Sequence, residues 1–397
     1  MLIARKDLDQ LTEDDLQQLI DNQVSESKTM EYKQALPSLH PPEKKREFLA
    51  DVSSFANTVG GCIVFGMKAQ DGAPLALTGL EGLNSDAAIL QLDQAIRDGI
   101  APRIQGIRWS PPIPLRNGNA ALVLCIPQSA DAPHMVTADT TSRFWARDTR
   151  GKYDMDVQQI RAAFLASDAV NQRLRRLREI RPEEIAAGKT PVALAEGATV
   201  LVLLASEPAL RYPDTLDQER LLRAACGSPL GLENSFYRTY NADGVLAHQS
   251  ATTAGQSTKC WKYVQVYRNG VVEHVRVYAR HARNDGRQLL PYKTLEEELL
   301  AFCSAGLTMY REEGVQPPVV IMVTVLRAAG FSISNHDFPA LRPQTITTDV
   351  LPLPEVQVHT LDQSYRSLAD ALRTPFDVLW NAFGAPEWLN YRQWCGE

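Results

Sequence analysis

The chain has 397 residues, of which 44% are hydrophobic and 22% are charged, and its 41 Lys and Arg residues are outnumbered by 47 Asp and Glu residues. This composition is that of an ordinary globular protein and excludes disordered, collagen-like and coiled-coil chains. The formal net charge of −6 excludes a chain that is basic as a whole, so any nucleic-acid-binding surface would be a local patch. The longest apolar runs, 200–205 and 319–323, are far shorter than the roughly 18 residues that a membrane span needs.

Neither the N-terminus nor the cysteines indicate secretion. Residues 1–15 are acidic and contain no apolar stretch followed by a cleavage site. The cysteines form no CxxC pair, and most lie in apolar segments, where a reduced cysteine behaves as a small hydrophobic residue. They are Cys62, Cys125, Cys226, Cys260, Cys303 and Cys395. We therefore expect core thiols in a cytoplasmic protein that does not associate with a membrane.

The first half of the chain alternates between predicted helices and strands. Thr12, with Asp15 three residues later, is the pattern of a helix N-cap. Gly60 and Gly61 end a helix and precede a short apolar strand that we expect in the middle of a sheet. In chain order the pattern predicts a helix over 7–21, a strand over 26–33, a helix over 43–58, a strand over 62–66, a helix over 90–100, strands over 121–126 and 142–147, and a helix over 156–164.

The second half begins after a basic segment, 171–181, that we predict to be a connecting helix. Asn269-Gly270 between alternating Val and Tyr residues predicts a β-hairpin over 261–278. The remaining predicted elements are a strand over 199–205, a turn over 241–244, a helix over 294–310 and a strand over 319–326. We therefore predict a mixed α+β (α/β) protein of two domains, each a mixed sheet with packed helices. The boundaries are 1–167 for the first domain, 168–190 for the basic linker helix and 191–397 for the second domain.

The candidate chemistry lies near the N-terminus. The sequence contains no phosphate-binding GxxxxGK[ST] loop and no GxGxxG, GxSxG or HExxH motif. Glu26 and Glu31 are five residues apart, and two carboxylates could converge on Mg²⁺ or Mn²⁺, which would activate water against a phosphodiester. In the alternative interpretation Glu26 caps a helix or faces solvent, and Glu31 pairs with Lys33 or with an arginine.

A family resemblance bears on this choice. The chain carries, in order, Glu26-Ser27, Glu31-Tyr32-Lys33, Phe55-Ala56-Asn57-Thr58, Gly60-Gly61, Phe65-Gly66 and Gly79-Leu80. These motifs resemble the Schlafen AlbA-like domain, a nucleic-acid-binding family also described as divergent AAA, over roughly residues 15–167. The resemblance implies a nucleic-acid partner, and in the nucleases of the family it implies metal-dependent cleavage of RNA, notably tRNA, by three acids.

The resemblance maps two of these acids onto Glu26 and Glu31 and leaves the third open. Lys68 stands at the position of the third acid, where its ammonium would oppose a divalent cation. Asp71 could substitute for it if the loop curls back. The catalytic set implied is thus Glu26, Glu31, Lys33 and Asp71, with Glu26 and Glu31 as metal ligands.

Basic residues beside an aromatic ring suit phosphate contacts and base stacking. Arg143, Trp145 and Arg147 alternate on one face of a predicted strand. The alternative is that Lys44, Lys45 and Arg46 form a solvated start of a helix and that Trp145 belongs to the core. The predicted nucleic-acid-binding residues are Lys44, Lys45, Arg46, Arg143, Trp145, Arg147, Arg150 and Lys152.

Three functions compete on this basis. The first is a protein that binds DNA or RNA, in regulation or in defence against foreign genetic elements, and that could form a homo-oligomer. The second is a divalent-metal endoribonuclease acting on tRNA-type substrates. The third is a protein-interaction scaffold, which the acidic balance of the chain favours.

Overall fold

The structure is a computed structural model that describes residues 8–129, 131–138, 142–211, 237–250, 259–279, 288–334 and 336–395. Its chain divides into two compact units, Met1–Val170 and Asn171–Glu397. The mixed α+β class predicted from the sequence is confirmed. Among the described residues, no helix is both long and apolar enough to cross a membrane.

The first unit is built on a five-stranded sheet in the order β1-β2-β8-β6, with β7 also paired to β8. A second sheet has the order β11-β10-β9-β5, and β3 and β4 form a separate hairpin. The strands are β1 (Met30–Lys33), β2 (Gly61–Phe65), β3 (Met67–Gln70), β4 (Ala73–Leu77), β5 (Ile100–Ala101), β6 (Arg108–Trp109), β7 (Ile113–Pro114), β8 (Ala120–Ile126), β9 (Met135–Val136), β10 (Arg143–Asp148) and β11 (Gly151–Asp154). The helices are α1 (Glu13–Asp21), α2 (Pro42–Ala56), α3 (Ser85–Gly99) and α4 (Val157–Arg175).

The central strands are apolar because both faces of the first sheet are covered. Ile63 and Phe65 of β2 pack in one cluster with Phe48 and Phe55 of α2. Side chains alternate across a strand, so Val64 instead joins the cluster that contains the apolar side of α1. β2 lies between β1, to which it is parallel, and β8, to which it is antiparallel. The predicted central position of this strand is therefore confirmed.

The cysteine prediction is wrong at two positions. Cys62 and Cys125 lie directly opposite each other in the pairing of β2 with β8 and are joined by a disulfide. Cys260 and Cys303 are buried free thiols, as expected, whereas Cys226 lies outside the described residues. Sequence position alone could not reveal that two apolar strands would align Cys62 with Cys125.

Several element boundaries also differ from the prediction. α1 begins at Glu13, after a 3₁₀ turn over Leu8–Gln10, and Asp15 accepts hydrogen bonds from the Thr12 backbone and hydroxyl, as predicted for the cap. The helix predicted over 156–164 runs on as α4 into the basic segment. That segment continues as a π-helical turn over Arg176–Ile180 and ends in α5 (Arg181–Ala186), so it is an extension of one helix.

The second unit is an eight-stranded sheet in the order β13-β14-β15-β16-β12-β18-β20, with β21 also paired to β18. The strand pairs of this sheet are antiparallel, and the predicted hairpin is formed by β15 and β16. A separate two-stranded sheet pairs β17 with β19 in parallel. The strands are β12 (Gly197–Ser206), β13 (Tyr237–Asn241), β14 (Gly244–Ser250), β15 (Cys260–Tyr267), β16 (Val272–Ala279), β17 (Gln288–Leu289), β18 (Val319–Leu326), β19 (Phe331–Ser332), β20 (Val350–Pro352) and β21 (Val356–Val358). The helices are α6 (Glu207–Arg211), α7 (Tyr292–Glu313), α8 (Tyr365–Ala371), α9 (Arg373–Ala382) and α10 (Tyr391–Cys395).

Candidate functional site

Glu31 lies in a group of charged side chains on the α2 side of the first sheet. Because alternate residues of a strand share a face, Glu31 and Lys33 of β1 lie together, opposite Met30 and Tyr32. The Glu31 carboxylate accepts a hydrogen bond from Lys33 Nζ at 2.7 Å and one from the Arg147 guanidinium of β10. The alternative interpretation of the sequence, in which Glu31 pairs with Lys33 or with an arginine, is therefore confirmed with both partners.

Asp51 of α2 is the second acid of this group. Its carboxylate accepts a hydrogen bond from Lys152 Nζ at 2.7 Å and lies 3.5 Å from Lys33 Nζ and 3.7 Å from Arg147 Nη1. We call these five residues, Glu31, Lys33, Asp51, Arg147 and Lys152, the charge cluster. Its three cations and two acids leave one net positive charge.

The centre of the charge cluster is buried, whereas its two lysines are partly exposed. The side chains of Arg147 and Asp51 are 1% and 4% exposed, whereas those of Lys33 and Lys152 are 34% and 23% exposed. The Arg147 guanidinium also lies over the Phe55 ring, 4.1 Å from its centre, a cation–π contact. Solvent and ligands therefore reach the cluster from the lysine side.

The end of α2 holds β10 against the cluster. Asn57 Nδ2 donates to the carbonyls of His134 and Trp145, both at 2.9 Å, and Asn57 Oδ1 accepts from the His134 backbone. Thr58 Oγ1 accepts from the Arg147 backbone nitrogen at 3.0 Å. The Asn-Thr motif seen in the sequence therefore acts through backbone groups and fixes the strand that carries Arg147.

Glycine is required next to this motif. Gly60 has a left-handed φ of +72°, and a Cβ there would lie 2.6 Å from the backbone nitrogen of Gln128. A Cβ on Gly61 would instead meet the Phe55 ring at 2.5 Å and the Thr29 carbonyl at 2.7 Å. The left-handed residue of the pair is thus Gly60, and Gly61 allows the close approach of α2 to the chain before β1.

The two acids implied by the family resemblance have pKa values shifted in opposite directions. Burial by itself would raise the pKa of Glu31, but the hydrogen bond and charge of Lys33, together with Arg147, hold it below its ordinary value. Burial and the Glu31 charge raise the pKa of Glu26, against the backbone N–H that Tyr32 donates to it at 3.1 Å. Glu31 is therefore held ionised, whereas Glu26 favours its proton more than an exposed glutamate does.

This arrangement does not fit a divalent metal ion. Mg²⁺ and Mn²⁺ need several oxygen ligands, and the carboxylate of Glu31 is already occupied by two cations. Asp71 is exposed in the turn between β3 and β4, and Lys68 is exposed on β3. In the part of the chain that the structure describes, no three His, Cys, Asp or Glu side chains are grouped to hold a metal. The catalytic and metal roles of Glu26, Glu31, Lys33 and Asp71 stay predictions.

The predicted basic face of β10 is not an exposed face. Arg147 is buried in the charge cluster because Glu31 and Asp51 compensate its charge. Trp145 is half-buried and packs against the α2–α3 core, and Arg143 is exposed and paired with Asp154. The assignment of Arg147 to a surface that meets nucleic acid is therefore wrong.

The other predicted cations lie around the start of α2. Lys44 is exposed and 3.4 Å from Glu47, and Arg46 is 3.4 Å from Glu43. Lys152 Nζ, besides its bond to Asp51, donates to the Glu47 carbonyl at 3.1 Å. This contact brings the β10–β11 hairpin, which also carries the exposed Arg150, against the first turns of α2.

Asp51 was missed by the sequence analysis, although a signal for it exists. It lies on the apolar face of α2, between Phe48, Val52 and Phe55 at helical spacing. A carboxylate on a buried helix face needs a cation, and this requirement marks Asp51 as the partner of a distant basic residue.

Residues 26–156 match the family described as Schlafen, AlbA_2. The crystal structure of the DIP2311 protein from Corynebacterium diphtheriae is similar at 20% identity and a TM-score of 0.24, over 32% of this chain and 25% of that protein. The chain thus spans about a quarter of the length of that solved structure. No curated protein matches the chain significantly. The segment that matches the Schlafen, AlbA_2 family includes all five residues of the charge cluster and the Asn-Thr motif that supports it.

Proposed function

We propose that this chain binds nucleic acid through its Schlafen AlbA_2 domain, with phosphate contacts along the basic edge, defined as Lys44, Lys45, Arg150 and Lys152. The family match supports a nucleic-acid-related role. The observation that carries the location is the bond from Lys152 to the Glu47 carbonyl, which joins the two basic segments into one surface.

The local acids do not prevent phosphate binding at this edge. The pair between Lys44 and Glu47 has side chains 61% and 52% exposed, and exposed pairs of this kind are worth about 0–1 kcal/mol. A phosphate can replace such a weak partner, since it releases condensed counterions when a lysine neutralises it. Arg150 is exposed, and its backbone nitrogen is held by the Asp148 carboxylate in a tight turn. The basic edge can therefore make a small number of contacts with the phosphate backbone of a nucleic acid.

The proposed activity is binding without metal-dependent cleavage. An endoribonuclease of this family would need the carboxylate of Glu31 for a metal, and in this chain Lys33 and Arg147 hold it. A role in regulation and a role in defence against foreign genetic elements would both require binding of DNA or RNA.

Fluorescence anisotropy with a labelled single-stranded RNA, a labelled tRNA and a DNA duplex tests the proposal between 50 and 200 mM salt. The variant Lys44→Ala/Lys45→Ala/Arg150→Ala should bind more weakly and flatten the logarithmic salt slope by about two units for a single strand and about three for a duplex. The matched control, Arg238→Ala/Lys259→Ala/Arg392→Ala, removes three exposed cations from the second unit and should leave the slope unchanged.

An unchanged slope in the first variant would remove the basic edge from the proposal, and absence of binding to all three ligands would favour the scaffold function. Incubation with tRNA and Mn²⁺ or a chelator tests the enzyme alternative in the same preparation. Metal-dependent fragments that disappear in Glu31→Gln would replace the proposal by a nuclease function.

A further inference from the structure

A cavity of about 790 Å³ lies within the second unit. It is bounded by Trp261 of β15, by the end of β16, by residues 289–293 leading into α7, and by Ser334 and Asp337. Cavities of about 300–1,000 Å³ are the usual size of sites for small organic ligands. The charge cluster and the basic edge of the first unit do not use this cavity.

The cavity has walls suited to a flat ring. Three aromatic side chains line it, those of Trp261, Tyr278 and Tyr292, and the other lining groups include Leu289 and Pro291. Tyr278 and Tyr292 are each 6% exposed, so their orientation is fixed by packing. Rigid aromatic side chains favour a planar aromatic ligand, because ring–ring contact adds to the burial of apolar surface.

The charged lining of the cavity consists of two cations and one acid. Arg276 and Lys293 are the lining cations, and Asp337 is the lining acid. Each of the two cations already has an acidic partner: Arg276 Nε lies 3.3 Å from Glu298, and Lys293 Nζ lies 3.0 Å from Asp337, to which the Tyr292 hydroxyl also donates. Lys293 also lies in the first turn of the 22-residue helix α7, where the helix dipole favours negative charge. The charged groups of the cavity therefore balance, and a ligand anion would bind by replacing Asp337 at Lys293, because ion pairs as exposed as this one (52% and 36%) are weak.

We propose that this cavity binds a planar aromatic molecule with one anionic group, the ring between the aromatic walls and the anion beside Arg276 and Lys293. A mononucleotide and an aromatic carboxylate share this chemistry. The site is separate from the proposed nucleic-acid contacts and does not depend on them.

Two fluorescent probes of similar ring structure test the charge preference on the full chain. 8-Anilinonaphthalene-1-sulfonate is anionic, and N-phenyl-1-naphthylamine is its neutral counterpart. The wild type should bind the anionic probe more tightly, and Lys293→Gln should weaken the anionic probe about fivefold while leaving the neutral one unchanged. Lys259→Gln is the matched control, because Lys259 is 53% exposed and paired with Glu196 at 2.9 Å, against 52% and 3.0 Å for Lys293.

Occupation of the cavity itself is tested by Ser334→Trp, which fills it from its half-exposed rim. Binding of both probes should fall about tenfold with an unchanged thermal transition. Probe binding that survives Ser334→Trp, or that is equal for the two probes, would overturn the proposal. Displacement of the anionic probe by AMP would identify a nucleotide and displacement by indole-3-acetate an aromatic carboxylate, and displacement by neither would contradict the ligand class.

Discussion

Replacing Arg147 with methionine removes the cation that the buried Glu31 and Asp51 carboxylates share. Removal of one partner from a buried ion pair costs about 3–5 kcal/mol, because the remaining charge stays buried without compensation. Here each acid keeps one lysine at 2.7 Å, so we expect the lower end, about 3 kcal/mol. Arg143→Met is the control, since Arg143 lies on the same strand with a side chain 58% exposed, and it should cost less than about 1 kcal/mol.

Hydrogen exchange read by mass spectrometry resolves this effect in a chain of two units. Protection of the amides of β1 and β10 should fall about a hundredfold in Arg147→Met, while that of the second unit stays constant. The pH dependence supplies a second readout. Because the folded pKa of Glu31 is below its ordinary value of 4.5, its stabilising contribution is present above that value and is lost as the pH falls through the folded pKa.

Without Arg147 the folded pKa of Glu31 rises towards its ordinary value, so the loss of stability on acidification should be smaller and complete at a higher pH. A free energy of unfolding of Arg147→Met within about 0.5 kcal/mol of the wild type would contradict the role of Arg147 as a shared buried cation. Independent, additive effects of Arg147→Met and Glu31→Gln would contradict it too, since side chains in direct contact should be coupled.

Three further outcomes are expected. Gly60→Ala should lower the free energy of unfolding, measured by chemical denaturation, by more than about 2 kcal/mol, because the added Cβ would meet backbone atoms. Gly82 is the control, since it is also left-handed, at φ +59°, but has no atom within 4 Å of an added Cβ, so Gly82→Ala should cost about 1 kcal/mol. Equal costs for the two variants would contradict the steric explanation. Thiol labelling in denaturant without reductant should leave Cys62 and Cys125 unmodified, and labelling of either would exclude the disulfide. His274 is fully buried, and its burial, followed by the charges of its neighbours, holds its pKa well below 6.5. The chain should therefore lose stability as the pH falls below 6.5, and His274→Phe should flatten this pH dependence. An unchanged pH profile would assign the loss of stability to another group.

Local signals in the sequence carried most of the secondary structure. The apolar run of β2 required cover on both faces, and Asn269-Gly270 closed the predicted hairpin because its residues match the turn that twisted strands need. The ends of α1, β1, α3 and α4 were misplaced, and the β3–β4 hairpin was not predicted. At α1 and α4 the ends depend on a 3₁₀ turn and on a π-helical turn, which apolar periodicity does not reveal.

Only part of the site could be predicted from the sequence, because the residues that contact each other in it are far apart along the chain. Lys152 and Asp51 are 101 residues apart, and Arg147 and Glu31 are 116 apart. The alternation of Arg143, Trp145 and Arg147 correctly predicted a strand, but it could not tell which end of that face would meet buried acids. The same limit applies to the disulfide, which depends on the register between two strands rather than on either strand alone.

The disulfide turns the middle of the first unit into a covalent ring. Cys62 and Cys125 are 63 residues apart, so α3 and the strands from β3 to β7 lie within the ring and the rest of the unit forms two tails. Glu31 and Asp51 belong to one tail and Arg147 to the other, so the ion pairs of the charge cluster link the two tails. The disulfide shortens the chain path between the two acids and Arg147 to less than half, and each halving of a loop saves roughly 0.6 kcal/mol of closure entropy. A single proteolytic cut at an exposed point of the ring, such as Arg116, would therefore leave the two tails joined, and the ion pairs between them intact, until the disulfide is reduced.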